Sequence, residues 1–401
     1  MKTRHNLVAI LLVLSLPFGV AAQNAVSILV LILLAMNPKT AQAPWTWRDL
    51  MVVVLPLALC LWTMIATIVN SKNPSQHVGQ YLFGFLPLAL LPVLAAYRPM
   101  PLLVRKPLVF QWAVGVVIFW AVVVFSQHLW GWSLQNPRGG VDFRPFGFFS
   151  HPLTLAYAAL LLWPWALAKL FHNPRWTPAW LAVISIALIL FYSGSRACQA
   201  LAYGALLWNL LTRLRGKARM AVVLAFILGA VATFATDNPV SRRFTHLIAS
   251  ENPDRFSDYP DDRLAFWHAH WEMVKERPVL GHGMHLRHSY RQPYYETLGL
   301  GDFKKQYEAH NQYLQIWADG GLIGLAIFTL WLFFLWQLGK RLPSSLASPF
   351  LQMLVVFGAG ALVQNAYYDS EVRHIFTCSL IFIAFVLREE FDEEQRKAAK
   401  A

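Results

Sequence analysis

Long apolar runs separated by short basic or turn-forming clusters dominate this chain. Leu50–Val69, Gln80–Tyr97, Pro107–His128 and Leu153–Phe171 are each long enough, as helices, to cross a hydrocarbon core of ~30 Å. The same ruler laid along the whole sequence predicts twelve spans, near 6–22, 24–37, 50–70, 80–97, 107–128, 151–171, 177–193, 196–213, 219–236, 312–337, 349–368 and 374–388. A backbone in lipid must satisfy its own hydrogen bonds, so the expected fold class is an all-α polytopic membrane protein of about twelve transmembrane helices. The expected organisation is nine spans in 1–236, a long loop in 237–311, three further spans in 312–388 and a polar tail in 389–401.

The first run has the look of a signal peptide: Lys2 and Arg4 precede an apolar stretch that ends in small residues at Val20–Ala22. A second apolar run follows at once after Gln23 and Asn24, which reads better as a tight helical hairpin retained in the protein. Retention also puts both termini on one side. Lys39, Arg48, Arg98, Arg105, Lys106, Lys169, Arg175, Arg213, Arg215, Lys217, Arg219, Lys340 and Arg341 all fall in loops on that side, and the positive-inside rule makes it cytoplasmic. Composition agrees with the class: 57% of residues are hydrophobic, and many of the 17 Trp sit near span ends, where amphipathic rings prefer the interface. Cys60, Cys198 and Cys378 lie in or beside spans without paired spacing, so they read as core residues and not as disulfides or metal ligands.

The opposite face should be poor in cations, yet it carries Arg138, Arg144, Arg196, Arg242, Arg243, Arg255, Arg263, Arg277, Arg287, Arg291 and Arg373, accompanied by few lysines. The planar guanidinium fork matches phosphate and carboxylate better than a point charge does. As a set these residues point to an anionic ligand on the extracytoplasmic side, whereas any single one outside a motif reads as part of a solvated basic loop. Within the long loop, Arg263–Arg277 places Leu264, Trp267, Trp271 and Val274 on one helical face and Arg263, His270 and Arg277 on another, a pattern suited to a helix lying along the interface. Pro278, Gly281 and Gly283 then stop that helix in a PVLGHG turn. His282, His285 and His288 could converge on zinc only if helical, which Gly281 and Gly283 oppose, so no metal site is expected.

The chain re-enters the membrane through His310-Asn311, Leu314-Gln315, Asp319-Gly320 and Gly324-Leu325. This segment resembles the hallmark of the O-antigen ligase and polymerase superfamily. Tyr192–Arg196 (YSGSR), Arg144-Pro-Phe-Gly followed by Ser150-His-Pro152, and Arg263 leading to Pro278–Gly283 resemble further motifs in the same order, over about 138–325. The resemblance implies a GT-C-type glycosyltransferase without a cofactor. It would take a glycan carried on undecaprenyl diphosphate at the outer face of a bacterial inner membrane and pass it to a lipid A-core acceptor. Membrane lipids are the other expected partners, and no nucleic acid is.

On that reading His310 is the catalytic base, since neutral imidazole can accept a proton near neutral pH. Arg196 and Arg263, with Arg144 and Arg287, bind the diphosphate and neutralise it as it leaves. Asp319 beside two glycines reads as a packing or helix-break residue. Asp369 and Glu371, near Arg373, read as outer-loop charges that pair and shape the cavity outside the catalytic set. An O-antigen polymerase would use the same donor. A protein O-oligosaccharyltransferase would carry a longer C-terminal extension. A lipid or sugar transporter would place ionisable groups at the bilayer midplane within broken helices, whereas here the polar chemistry gathers at one face.

Overall fold

The computed structural model describes residues 11–36, 47–70, 79, 82, 85–97, 106–132, 144–235, 262–284, 288–300 and 308–383. Every regular element among them is helical. In chain order these are α1 (Val20–Ala35), α2 (Trp47–Asn70), α3 (Leu86–Tyr97), α4 (Lys106–Trp130), α5 (Pro152–His172), α6 (Thr177–Ser193), α7 (Arg196–Arg213), α8 (Gly216–Ala235), α9 (Asp262–Glu276), α10 (His288–Thr297), α11 (Gln312–Arg341), α12 (Ser344–Gly360) and α13 (370–383). Four helices are long and apolar enough to cross a membrane, Arg48–Asn70, Phe110–Trp130, Pro152–His172 and Gln312–Arg341; Val20–Ala35, Leu86–Ala95, Thr177–Ser193 and Ser344–Gly360 are shorter apolar helices. These spans support a polytopic membrane protein.

The core forms where α11 packs on α2 and α12, and α5 on α6 and α12. Trp120, Tyr157, Phe328, Trp331, Phe350 and Phe357 fill it. Local sequence sets the helix ends. His151 caps α5 ahead of Pro152, whose fixed φ suits a first helical position. α6 stops at Gly194, which adopts φ 64°. At the end opposite the long loop, Arg341 Nη2 reaches Asp49 Oδ1 at 2.5 Å and ties the foot of α11 to that of α2.

Three expectations change. The N-terminal bend falls at 16–19, where Pro17 and Gly19 interrupt the helix, and not at Gln23 and Asn24, which lie inside α1. Gln23 is buried, and its Nε2 reaches back to the Leu16 carbonyl at 3.5 Å. The segment before the bend is packed into the body: Leu12 and Leu16 are in the core, and His374 of α13 bonds Ser15 Oγ through Nε2 at 2.8 Å and Ser27 Oγ through Nδ1 at 3.2 Å. The run expected as a span over 349–368 is helical only to Gly360, and 361–369 is irregular. The Gln312 side chain accepts there from the Tyr367 and Tyr368 amides at 2.7 and 3.0 Å, while the Gln312 amide donates to the Ala361 carbonyl.

The third change concerns α9. Its buried face is Ala265, Phe266, Ala269, His270, Met273 and Val274, so Val274 lies inward as expected, whereas His270 belongs to the inward side and Trp271, 44% exposed, to the outward one. The helix packs on α11 and α10 as well as having an outer surface, and packing against protein overrides the simple two-faced pattern.

α11 is broken at Gly321, which has φ 62° and ψ −167°. The PVLGHG turn occupies the break. His282 and Gly283 amides donate to the Ala318 and Asp319 carbonyls at 2.9 and 2.7 Å, and the Leu322 amide donates to the Pro278 carbonyl at 2.8 Å. Trp62 of α2 adds its indole N–H to the Gly320 carbonyl at 2.7 Å, and Thr67 Oγ1 accepts from the Met284 amide at 2.8 Å. The approach requires glycine: a Cβ on Gly281 would stand 2.4 Å from the Asp319 carbonyl oxygen, and one on Gly321 2.0 Å from that of Val279.

Gly281→Ala is therefore expected to destabilise the protein by roughly 2–4 kcal/mol, from its positive φ and the overlap together. Gly204→Ala, a helical position where a Cβ meets nothing within 4 Å, should leave stability unchanged or slightly raised. Thermal unfolding in detergent, followed by loss of monodisperse protein, checks both.

Candidate functional site

The loop that leads into α11 carries the most constrained residue of the site. His310 has φ 47°, the one positive φ on a non-glycine residue among those described. Such a conformation costs on the order of 1–3 kcal/mol and persists where surrounding structure holds it. Asn311 supplies part of that hold by capping α11, its Oδ1 accepting from the Tyr313 and Leu314 amides at 3.1 Å each. The other part comes from Gln364, whose Oε1 lies 3.0 Å from His310 Nδ1. A carbonyl oxygen can only accept, so Nδ1 carries the proton and Nε2 carries the lone pair of the neutral ring. The His310 ring also packs at 5.6 Å from that of Phe266 on α9.

A buried polar network supports this loop from below. Gln315 Oε1 accepts from the Ala309 amide at 2.8 Å, and its Nε2 donates to Asp319 Oδ2 at 2.8 Å. Asn365 Nδ2 donates to Glu308 Oε2 at 2.8 Å. Arg291 of α10, only 5% exposed, lies within electrostatic reach of Asp319 and His270. Burial pushes the His270 imidazole down to about 3, with Arg291 and His310 acting in the same direction, so it is neutral; its Nδ1 donates to the Phe266 carbonyl at 2.7 Å.

The facing wall is built by the turns before α5 and α7. Arg144 donates through Nε and Nη2 to the Ser193 carbonyl, at 2.8 and 2.5 Å. Its guanidinium thus lies against the Ser-Gly-Ser turn, where a Cβ on Gly194 would sit 3.1 Å from Arg144 Nε. Arg196 opens α7 directly after this turn and is exposed. Arg263, half-buried at the start of α9, and Arg144 both lie within electrostatic reach of Cys198, two residues into α7 from Arg196. His151 stands ahead of α5 with Nδ1 accepting from the Leu153 amide at 3.1 Å. Partial desolvation of a side chain that keeps one side open to solvent, then the charge of Arg144 and then His310, hold its imidazole below the usual histidine range.

One irregular segment joins the two walls. Gln364 holds His310, Asp369 Oδ2 accepts from Thr154 Oγ1 at 2.5 Å, and Glu371 accepts from the Ser150 amide and Oγ at 3.0 and 2.7 Å. This corrects the view of Asp369 and Glu371 as charges that pair with their neighbours in an outer loop. Glu371 is 1% exposed and fixes the start of the 150–154 turn, while Asp369 joins that turn through Oδ2 and caps α13 through Oδ1, which accepts from the Glu371 and Val372 amides at 3.2 and 3.4 Å.

The structure thus brings His310, Arg144 and Arg263 into one neighbourhood, with Arg196 on the adjoining turn. Arg287 lies outside the described residues, as do His285, Arg138, Arg242, Arg243 and Arg255. Arg373, counted above with the outer arginines, is buried; it donates to the Tyr367 carbonyl at 3.0 Å and lies 3.7 Å from the Phe85 ring centroid. His282 has Nδ1 on Tyr290 Oη at 2.7 Å and Nε2 on the Met273 carbonyl at 2.8 Å, so both ring nitrogens are engaged. Among the described residues no His, Cys, Asp or Glu group is arranged to hold a metal ion. Sequence reasoning missed Gln364, Glu308 and the inward place of Arg291, and it placed His151 in the Ser150-His-Pro152 motif without giving it a role.

Replacing Arg144 with Gln removes a positive neighbour of His151, so the imidazolium becomes less unfavourable and the His151 pKa rises. Peptide-resolved labelling with diethylpyrocarbonate, which attacks only the neutral ring, should then show His151 protected up to a higher pH in the variant than in the wild type.

Residues 181–329 match the family model described as O-antigen ligase. No curated protein matches the chain. The matched segment runs from α6 through the Ser-Gly-Ser turn, Arg196, Arg263, the PVLGHG turn and His310 to the break in α11, and it leaves out Arg144, His151 and the segment bearing Gln364, Asp369 and Glu371. Members of the family are glycosyltransferase-like enzymes acting on lipid-linked glycans. Over that segment the chain is similar to the O-antigen ligase/polymerase family, and together with its several apolar helices the match points to a bacterial membrane protein.

Proposed function

We propose that this protein is an O-antigen ligase of GT-C type. It transfers an O-antigen glycan from undecaprenyl diphosphate to a sugar hydroxyl of the lipid A core, at the periplasmic face of the inner membrane. The observation that carries the reading is His310: strained, capped by Asn311, and bonded through Nδ1 to Gln364 so that Nε2 bears the lone pair, beside Arg144 and Arg263. In this proposal Nε2 takes the proton of the acceptor hydroxyl. The hydroxyl oxygen forms a bond to the anomeric carbon, and the bond from that carbon to the diphosphate oxygen breaks with its electron pair leaving on the diphosphate. The anomeric configuration inverts in a single displacement. Arg263, Arg196 and Arg144, with Arg287, neutralise the departing charge, so the reaction proceeds without a metal.

Twelve spans with both termini in the cytoplasm accompany this reading, with 1–236 and 312–388 forming the membrane body, 237–311 the periplasmic loop and 389–401 a cytoplasmic tail. Its support is the separation of charge along the bundle: Arg48, Arg213, Lys340 and Arg341 stand at the helix ends away from His310.

The test is transfer by purified protein from undecaprenyl-diphosphate-linked O-glycan to rough lipopolysaccharide, with a chelator present. Wild type should place glycan on the lipid A core, and His310→Ala should reduce the rate by about 10²-fold or more, the contribution of a positioned general base. Equal rates would remove His310 as base. A glycan that lengthens on its lipid carrier would instead make the protein a polymerase, and dependence on an added divalent ion would overturn the metal-independent mechanism.

Arg196→Lys and Arg263→Lys should each lower transfer by roughly tenfold or more, because an ammonium cannot make the paired hydrogen bonds of a guanidinium. Initial rates at saturating acceptor measure this; unchanged rates would mean that these arginines serve lipid headgroups.

A further inference from the structure

His151 has no role in the mechanism above beyond its place in the wall, yet its local structure specifies its chemistry closely. The neutral ring accepts the Leu153 amide on Nδ1, at 3.1 Å. A nitrogen that accepts bears no hydrogen, so the proton of the neutral ring is on Nε2, directed away from the helix that His151 caps. His310 is held in the opposite tautomer, with Nδ1 protonated toward Gln364.

The two rings are set relative to each other by the same short segment. Gln364 fixes His310; Asp369 and Glu371, a few residues on, fix Thr154 and Ser150 on either side of His151. Gln127 holds the earlier part of the turn, accepting from the Phe146 and Gly147 amides at 3.1 and 2.8 Å and donating to the Gly147 carbonyl at 2.8 Å. Arg144 begins this turn and is fastened to Ser193. His151 is itself exposed, while Gln127, Thr154 and Glu371, which hold the turn around it, are buried and Asp369 is half-buried, the arrangement of a side chain presented to a ligand from a rigid mount. Arg144 and His310 both lie close enough to act on it electrostatically.

We propose that His151 is a second substrate-contacting residue, which donates its Nε2–H to a phosphate oxygen of the lipid-linked diphosphate. This rests on the reading of the site as one that takes a lipid diphosphate. His310 Nε2 is the acceptor on the nucleophile side and His151 Nε2–H the donor on the leaving-group side, so the two imidazoles divide acceptance and donation between them while both stay neutral. No proton passes from His151. Its hydrogen bond strengthens as the bond between the anomeric carbon and the phosphate oxygen breaks and negative charge builds on the diphosphate.

The alternative is that His151 only caps α5, and two substitutions separate the ideas. His151→Asn keeps an oxygen that can accept the Leu153 amide but removes the distal donor. His151→Gln loses the cap geometry but reaches an N–H to about the place of Nε2. A capping role predicts that Asn is harmless and Gln is the damaging change. A donor role predicts the reverse order.

The experiment measures binding of undecaprenyl diphosphate, the leaving group itself, to detergent-purified full-length protein by intrinsic tryptophan fluorescence. His151→Asn is expected to melt as wild type does and to bind about tenfold or more weakly, the loss of one hydrogen bond to a charged group, with His151→Gln in between. In the transfer assay the same order should appear in kcat more than in KM for the acceptor. Wild-type affinity in His151→Asn, or equal weakening in both variants, would overturn the proposal. Binding does not depend on which acceptor is used, so a polymerase outcome would remove the ligase reading and leave this result standing. Absence of any diphosphate binding by wild type would remove both.

Discussion

The His310 end of this protein depends on one exchange of backbone hydrogen bonds, between the PVLGHG turn and the interruption in α11. A helix broken at Gly320-Gly321 exposes amides and carbonyls roughly 12 Å along its axis from Gln312, and an unpaired polar group in hydrocarbon costs several kcal/mol. The turn supplies the missing partners at Ala318, Asp319 and Leu322, and Trp62 supplies one more at Gly320. Irregular backbone is thereby admitted to the membrane body without being presented to lipid. The same contact fixes the extramembrane segment: α9 ends where the turn begins, so Arg263 at its far end and His310 at the mouth of α11 are registered against a common point.

From that point outward the site is held by amides and carboxylates more than by ion pairs. Gln312, Gln315, Gln364 and Asn365 each bind backbone or polar side chains across the gap between α11 and the segment after α12. Asp369 and Glu371 bind the turn before α5. The amide side chains suit this task, because they position without adding charge of their own to the site. Each also demands a particular partner at a particular place, and satisfied polar networks of this kind favour one arrangement over its neighbours.

The large features were legible in the sequence because they rest on single strong constraints. Apolar length gave the helices α2, α4 and α5 nearly to the residue, and the His310-Asn311 pair at the mouth of α11 announced both a cap and a candidate base. Gly320-Gly321 announced the break. What could not be read depends on which surfaces meet. Nothing in the order of residues shows that Gln364 would face His310, 54 positions away, or that Glu371 would be buried against Ser150. The inward face of α9 was misread for a related reason: periodicity identifies a stripe, but a helix with protein on one side and solvent or lipid on the other has two competing claims on its large aromatics. His270 went to the interior because Phe266 offered its carbonyl and burial keeps the ring neutral.

The junction at His374 has a consequence for how the molecule is made. Its ring joins Ser15 and Ser27 to α13, a closure across 359 residues in the first case. Membrane insertion proceeds from the N-terminus, so Ser15 and Ser27 enter the bilayer donating to the Leu12 and Gln23 carbonyls of their own segments, and their contact with His374 waits until α13 has been made. Non-local closures of this kind come last and slowly. α13 also brings Glu371, and with it the clamp on the turn bearing His151. Completion of the wall that carries His151 is thus tied to arrival of α13, and a chain halted before it would hold Arg196 of α7 and Arg263 of α9 without the Glu371 clamp on the facing turn.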